Sequence, residues 1–135
     1  MEKRLMKEAI LARENAYTPY SHFKVGAALL TKSGKIYHGC NIENAGYTPS
    51  NCAERTAFFK AVSEGELEFD AIAVVAGTEG GELAFTAPCG VCRQVMMEFC
   101  DYETFRIILG TSPEDYQVFS LKEILPFGFG PKNLT

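Results

Sequence analysis

The sequence contains no apolar run approaching the about 18 residues that a membrane-spanning helix needs, although 47% of its residues are apolar. It also lacks any dense cluster of Lys and Arg: 13 basic residues stand against 17 acidic ones, for a net charge of −4. Neutralising a nucleic-acid backbone takes clustered basic side chains. A polymer substrate is therefore not expected, and a small neutral or cationic ligand is. No linker, internal repeat or low-complexity stretch divides the chain, so residues 1–135 are expected to form one domain, large enough to fold without disulfides. The first eight residues, Met1-Glu2-Lys3-Arg4-Leu5-Met6-Lys7-Glu8, carry no apolar signal core, and a cytoplasmic location is expected.

Five cysteines are present, Cys40, Cys52, Cys89, Cys92 and Cys100. In a reducing compartment an odd set of this kind points to metal binding or catalysis before it points to disulfides.

Periodicity predicts a helix over 2–17, where Leu5, Ala9, Ala12 and Ala16 recur at helical spacing. Strands are predicted at 23–31 and 35–40 around a Ser33-Gly34 turn. A polar loop at 41–51 follows, then a helix over 52–64. The run Ala71 to Ala76 reads as a central strand. Pro88 suits the first position of a helix running to about Asp101. A strand at 105–109, a short one around 117–119 and a helix capped by Ser120 and Glu123 complete the order. Helices between strands imply parallel pairing in an α/β layered fold. Right-handed crossovers then put both central helices on one sheet face, with their N-termini opening at one edge.

Those two helix starts hold the chemistry. One opens Cys52-Ala53-Glu54-Arg55, the other Pro88-Cys89-Gly90-Val91-Cys92-Arg93-Gln94. Cys89 and Cys92 share a helix face, and helix N-termini favour thiolates. Three thiolates from convergent helix starts suit one zinc ion with an open fourth position, as in catalytic sites. Glu54 would stand beside that position as a proton acceptor and donor. Arg55 and Arg93 would offset the excess negative charge by donating hydrogen bonds to the sulfurs.

Other readings stand beside these. Cys-x-x-Cys at a helix start also serves thiol redox chemistry, but that chemistry does not require a third cysteine with a Glu two places on. A structural zinc would need a fourth ligand. Cys100 lies about 12 Å along the helix from Cys92, while Cys40, His22 and His38 remain open. Asn51 and Glu54 also form a legal capping box.

The pairing of Cys52-Ala53-Glu54 with Pro88-Cys89-x-x-Cys92 resembles the cytidine deaminase family, whose zinc chemistry is a known example. Further blocks carry the likeness over nearly the whole chain: Ala16 to Ser21, Val25 to Leu30, Asn41 to Asn44, Cys52 to Ala57 and Glu123 to Pro126. It is similar to the small homotetrameric branch with three cysteine ligands.

The resemblance implies a three-layer α-β-α fold around a mixed sheet of about five strands. It implies zinc-dependent hydrolytic deamination of cytidine and deoxycytidine in pyrimidine salvage, a zinc-activated water adding at C4 while Glu54 shuttles protons. The ligands would be Cys52, Cys89 and Cys92. Phe23 would stack on the base, Asn41 and Glu43 would bond the ribose hydroxyls, and Tyr47 would line the sugar site. Ala53 would offer backbone groups to the base. Phe129 would reach into a neighbouring subunit's site, with Phe127 a second aromatic in the same tail.

Overall fold

The computed structural model describes residues 1–135. Its elements, in chain order, are α1 (Glu2–Arg13), β1 (Phe23–Thr31), β2 (Ile36–Cys40), α2 (Ala53–Ser63), β3 (Phe69–Thr78), α3 (Gly90–Phe99), β4 (Arg106–Ser112), β5 (Asp115–Ser120) and α4 (Leu121–Ile124). A 3₁₀ turn at Pro131–Leu134 closes the tail.

The strands form one sheet in the order β2-β1-β3-β4-β5. Only β3 and β4 pair in parallel. β1 is antiparallel to both β2 and β3, and β5 is antiparallel to β4. The expectation that both helical crossovers join parallel neighbours therefore holds for one of them. The β2-α2-β3 crossover steps over β1, because the hairpin has already occupied the place beside β3.

Period-two alternation sends successive side chains to opposite faces. Ala27, Leu29, Ile72, Val74, Ile107 and Leu109 face α2, α3 and α4 in one core. Ala28, Leu30, Ala71, Ala73, Val75 and Ile108 face α1 in the other. This is the expected three-layer α-β-α arrangement, with α2 and α3 on the same face. Phe58 anchors the larger core, meeting Phe69 edge-on at 5.1 Å between ring centroids.

Gly39 sets the height of α2. A Cβ there would press on the Ala53 carbonyl oxygen and lie 2.7 Å from the Ala57 nitrogen. The strand thus touches the helix backbone directly, and the first turn of α2 rests on β2.

β3, β4 and β5 run beyond the strands expected at 71–76, 105–109 and 117–119, and two helix boundaries also differ from the sequence reading. α1 ends at Arg13, not near 17, because residues 14–16 close into tighter turns, with Asn15 N bonding Ala12 O and Ala16 N bonding Arg13 O. Tyr17 instead bridges to Ile42. Pro88 lies outside α3, because Cys89 is the extended N-cap residue and the helix starts at Gly90.

Candidate active site

Both functional helices begin on a cysteine. Cys52 is the N-cap of α2 and Cys89 the N-cap of α3, each in extended conformation and neither making a side-chain cap bond. Their sulfurs are left to face one another across the gap between the helices. Cys52 Sγ lies 3.7 Å from Cys89 Sγ, and Cys89 Sγ lies 3.5 Å from Cys92 Sγ. All three sulfurs lie within 4.8 Å of one another. Zinc–sulfur bonds of about 2.3 Å in tetrahedral geometry put sulfurs roughly 3.8 Å apart, so the three thiols fit one zinc ion.

The alternative fourth ligands point elsewhere. His38 meets Glu8 of α1 at 2.7 Å, on the far side of the sheet. Cys40 follows His38 and Gly39 in β2, so alternation turns it to the α1 face as well. His22 pairs with Glu79 at 3.6 Å. Cys100 caps the opposite end of α3. Burial pushes the Cys40 and Cys100 thiols up, as befits neutral side chains.

Glu54 stands in the first turn of α2 and is 3% exposed. The capping-box alternative does not form, because Cys52 rather than Asn51 is the N-cap. Asn51 instead donates to Thr56 Oγ1 at 3.3 Å. Burial, helped by the Cys52 charge, pushes the Glu54 carboxyl up to about 7, against the opposing pull of its own backbone N–H and of Arg55. A carboxyl poised there can both take and give a proton near neutral pH.

A hydrogen bond from Cys92 leads the effects that lower Cys52 to about 5, with Arg55 and Cys89 adding to it. The same bond to Cys52, with burial, pushes the Cys92 thiol up. Arg55 Nη2 donates to Cys52 Sγ at 3.1 Å. Burial works against the Arg55 charge, but the bonds to Cys52 and Cys92 hold its proton more tightly than usual. Arg93 does not join it at the sulfurs. Its Nε donates to Pro88 O at 2.7 Å and its Nη1 to Ile124 O, so it ties the start of α3 to the end of α4.

A cleft of about 370 Å³ opens over the thiols and Glu54. Phe23, Asn41, Glu43, Cys52, Glu54, Arg55 and Cys89 line it. Asn41 is tied to β1, donating to Phe23 O at 2.8 Å and accepting from Val25 N at 2.9 Å. Ala53 is fully buried behind the cleft wall. Tyr47, 77% exposed, and Phe129, 56% exposed, are not part of the lining. Phe127 is wholly exposed.

The lining also includes Val25, Ser50, Asn51, Val74, Thr86 and Ala87, which sequence reasoning missed. Val25 was within reach, since it shares the Phe23 face of β1 at period two. Thr86 and Ala87 immediately precede the Pro88-Cys89 pair. A larger hollow of about 430 Å³ lies at the far end of α3 against the tail, away from the three thiols.

Residues 1–108 match the model of the cytidine and deoxycytidylate deaminase zinc-binding region. The chain is 50% identical over 133 residues to the cytidine deaminase of Sporosarcina psychrophila, covering 98% of this chain and 94% of that one. It is 52% identical over 131 residues to that of Halalkalibacterium halodurans, covering 97% and 96%. The crystal structure of cytidine deaminase from Burkholderia pseudomallei matches with a TM-score of 0.86 at 48% identity, over 96% of this chain and 99% of that one. The three-thiol cluster, the buried glutamate beside it and these likenesses agree: the chain belongs to the cytidine and deoxycytidylate deaminase family, with a cluster of three cysteines able to hold its zinc ion.

Proposed function

We propose that this chain, as one deaminase domain over residues 1–135, hydrolytically deaminates cytidine and deoxycytidine to uridine and deoxyuridine in pyrimidine salvage. The observation that carries the reading is the buried Glu54 beside three clustered thiols at two convergent helix starts. Cys52, Cys89 and Cys92 would hold zinc, which would supply Lewis-acid activation of water.

Glu54 takes the proton of the attacking water and delivers it to ring N3. It then helps protonate the leaving amine. Its position in a site shielded from bulk water strengthens both transfers. Phe23 stacks on the base, Ala53 presents backbone groups to it, and Asn41 and Glu43 bond the sugar hydroxyls. Arg55 stabilises the Cys52 thiolate, and Arg93 ties the start of α3 to the end of α4.

Tyr47 and Phe129 are aromatic and exposed in the protomer. Tyr47 lines the sugar site, and the exposure of Phe129 supports a homotetramer in which it reaches into a neighbour's site. The net charge of −4 and the absence of any helix long and apolar enough to cross a membrane support action on a small nucleoside in the cytoplasm, without nucleic acid or membrane partners.

A substrate panel tests the reading. Cytidine and deoxycytidine should be turned over, and free cytosine and single-stranded DNA should not. Equal turnover of the free base would overturn the assignment of Asn41 and Glu43 to the sugar.

A further inference from the structure

At the rim of the cleft one hydroxyl joins Glu43 to Phe23, both of which line it. Glu43 Oε1 accepts from the backbone nitrogens of Tyr20 and Ser21, each at 3.1 Å. Ser21 Oγ donates to Glu43 Oε2 and accepts from Phe23 N at 3.0 Å. The direction is fixed by chemistry: an ionised carboxylate only accepts and a backbone N–H only donates, so the one hydroxyl hydrogen points to Glu43.

The other polar group of the Phe23 peptide is held as well, its carbonyl accepting from Asn41. Between Ser21 and Phe23 stands His22, at φ 56°. This left-handed conformation is disfavoured for a non-glycine residue, and the Ser21–Phe23 bond closes across it.

We propose that Ser21 is a positioning residue that locks the sugar-side carboxylate of Glu43 and the ring of Phe23 into one unit, so that sugar and base are read together. The inference rests on the assignment of Glu43 to the sugar hydroxyls. A carboxylate offers about four acceptor sites. Two backbone N–H groups occupy Oε1 and the Ser21 hydroxyl takes one site on Oε2, which leaves one for a ligand hydroxyl. Ser21 therefore sets the direction from which that hydroxyl is met. It touches neither the zinc ligands nor Glu54 in the network described, so its effect falls on binding and not on the chemical step.

The Ser21 hydroxyl is also the leading cause that holds the Glu43 carboxyl below its ordinary value, with the Ser21 and Tyr20 N–H groups and His22 adding to it against some burial. His22 is the titratable group that faces Glu43 from the loop before β1. Behind it, Glu79 at the end of β3 pairs with His22 at 3.6 Å and with Lys24 of β1 at 3.5 Å.

Steady-state kinetics of the zinc-loaded enzyme test the proposal, with cytidine and with an analogue lacking the 2′ and 3′ hydroxyls. Ser21→Ala should raise KM for cytidine roughly tenfold, the scale of one lost hydrogen bond to a charged group, with kcat within about twofold. KM for the analogue should rise less, through the Phe23 ring alone. The acid limb of the cytidine KM profile should move to higher pH, as the Glu43 carboxyl returns towards its ordinary value. Ser21→Thr, which keeps the hydroxyl, should restore all three.

An equal KM rise for both substrates, a fall confined to kcat, or no change in KM would each overturn the proposal. Glu43→Gln run in parallel separates the two layers. If it raises the cytidine KM while Ser21→Ala does not, only the role of Ser21 fails. If Glu43→Gln leaves KM unchanged, the sugar assignment fails and the proposal with it.

Discussion

Arg55 and Arg93 occupy matching places, each beside the cysteines of a functional helix, yet they do different work. Arg55 reaches Cys52 Sγ at 3.1 Å, whereas Arg93 spends its guanidinium on the carbonyls of Pro88 and Ile124. Removing the Arg55 charge should therefore weaken the metal site itself. Arg55→Gln is expected to lower zinc affinity about 10- to 100-fold, read by competition with a chromogenic chelator. Arg93→Gln should leave that affinity nearly unchanged and instead lower the melting temperature. Equal zinc affinities in the two variants would contradict the division. The types of both arginines and their closeness to the cysteines were legible in the sequence. The sulfur partner of Arg55 was legible too, but the partners of Arg93 were not, because Ile124 is 31 positions from Arg93 and only the folded packing of α4 against α3 brings the two together.

At the scale of elements, the site is the meeting of two helix starts, and each start is set by what lies beneath it. Gly39 lets β2 touch the α2 backbone beside Ala53 and Ala57. Gly39→Ala should lift the first turn of α2, at a cost of about 1–3 kcal/mol, and carry Cys52 away from Cys89. A lower melting temperature together with zinc below one per chain by elemental analysis is expected. Full zinc occupancy would contradict the argument.

At the far end of α3, Asp101 Oδ1 accepts from Glu103 N at 3.0 Å and from Thr104 N at 2.9 Å. These backbone bonds hold its pKa below the ordinary value of 3.8. A lowered folded-state pKa stabilises the fold above the ordinary value, and the contribution is lost as pH falls through the depressed one. Asp101→Asn should therefore show a shallower loss of melting temperature than the parent protein below about pH 4. An unchanged slope would exclude Asp101 from the acid response.

The helix starts were readable because cysteine spacing and N-terminal position are local properties. The antiparallel β1–β3 pairing was not, because nothing local says that the hairpin has filled the place next to β3. The Glu43–Ser21–Phe23 chain was hidden for the same reason, since its partners lie 22 positions apart.

For the whole molecule, the exposed Tyr47, Phe127 and Phe129 matter most. If protomers share sites, two crippled variants should complement each other. Mixed oligomers of Glu54→Gln and Phe129→Ala chains should recover activity, since some sites then combine an intact Glu54 with an intact neighbouring tail. No recovery, or an active monomer on gel filtration, would contradict shared sites. Phe127→Ala in place of Phe129→Ala shows which ring makes the contact.

The central claim, that zinc on Cys52, Cys89 and Cys92 works with Glu54, has a direct measurement. Cytidine deamination is followed by absorbance in the purified protein, after chelation, after zinc return, and in a zinc-loaded Glu54→Gln variant. The account predicts activity that disappears with the metal and returns with it. It predicts a variant that keeps one zinc per chain but loses about 10²- to 10⁴-fold in turnover. Near-normal turnover in the zinc-loaded variant, or activity that survives complete removal of the metal, would contradict it.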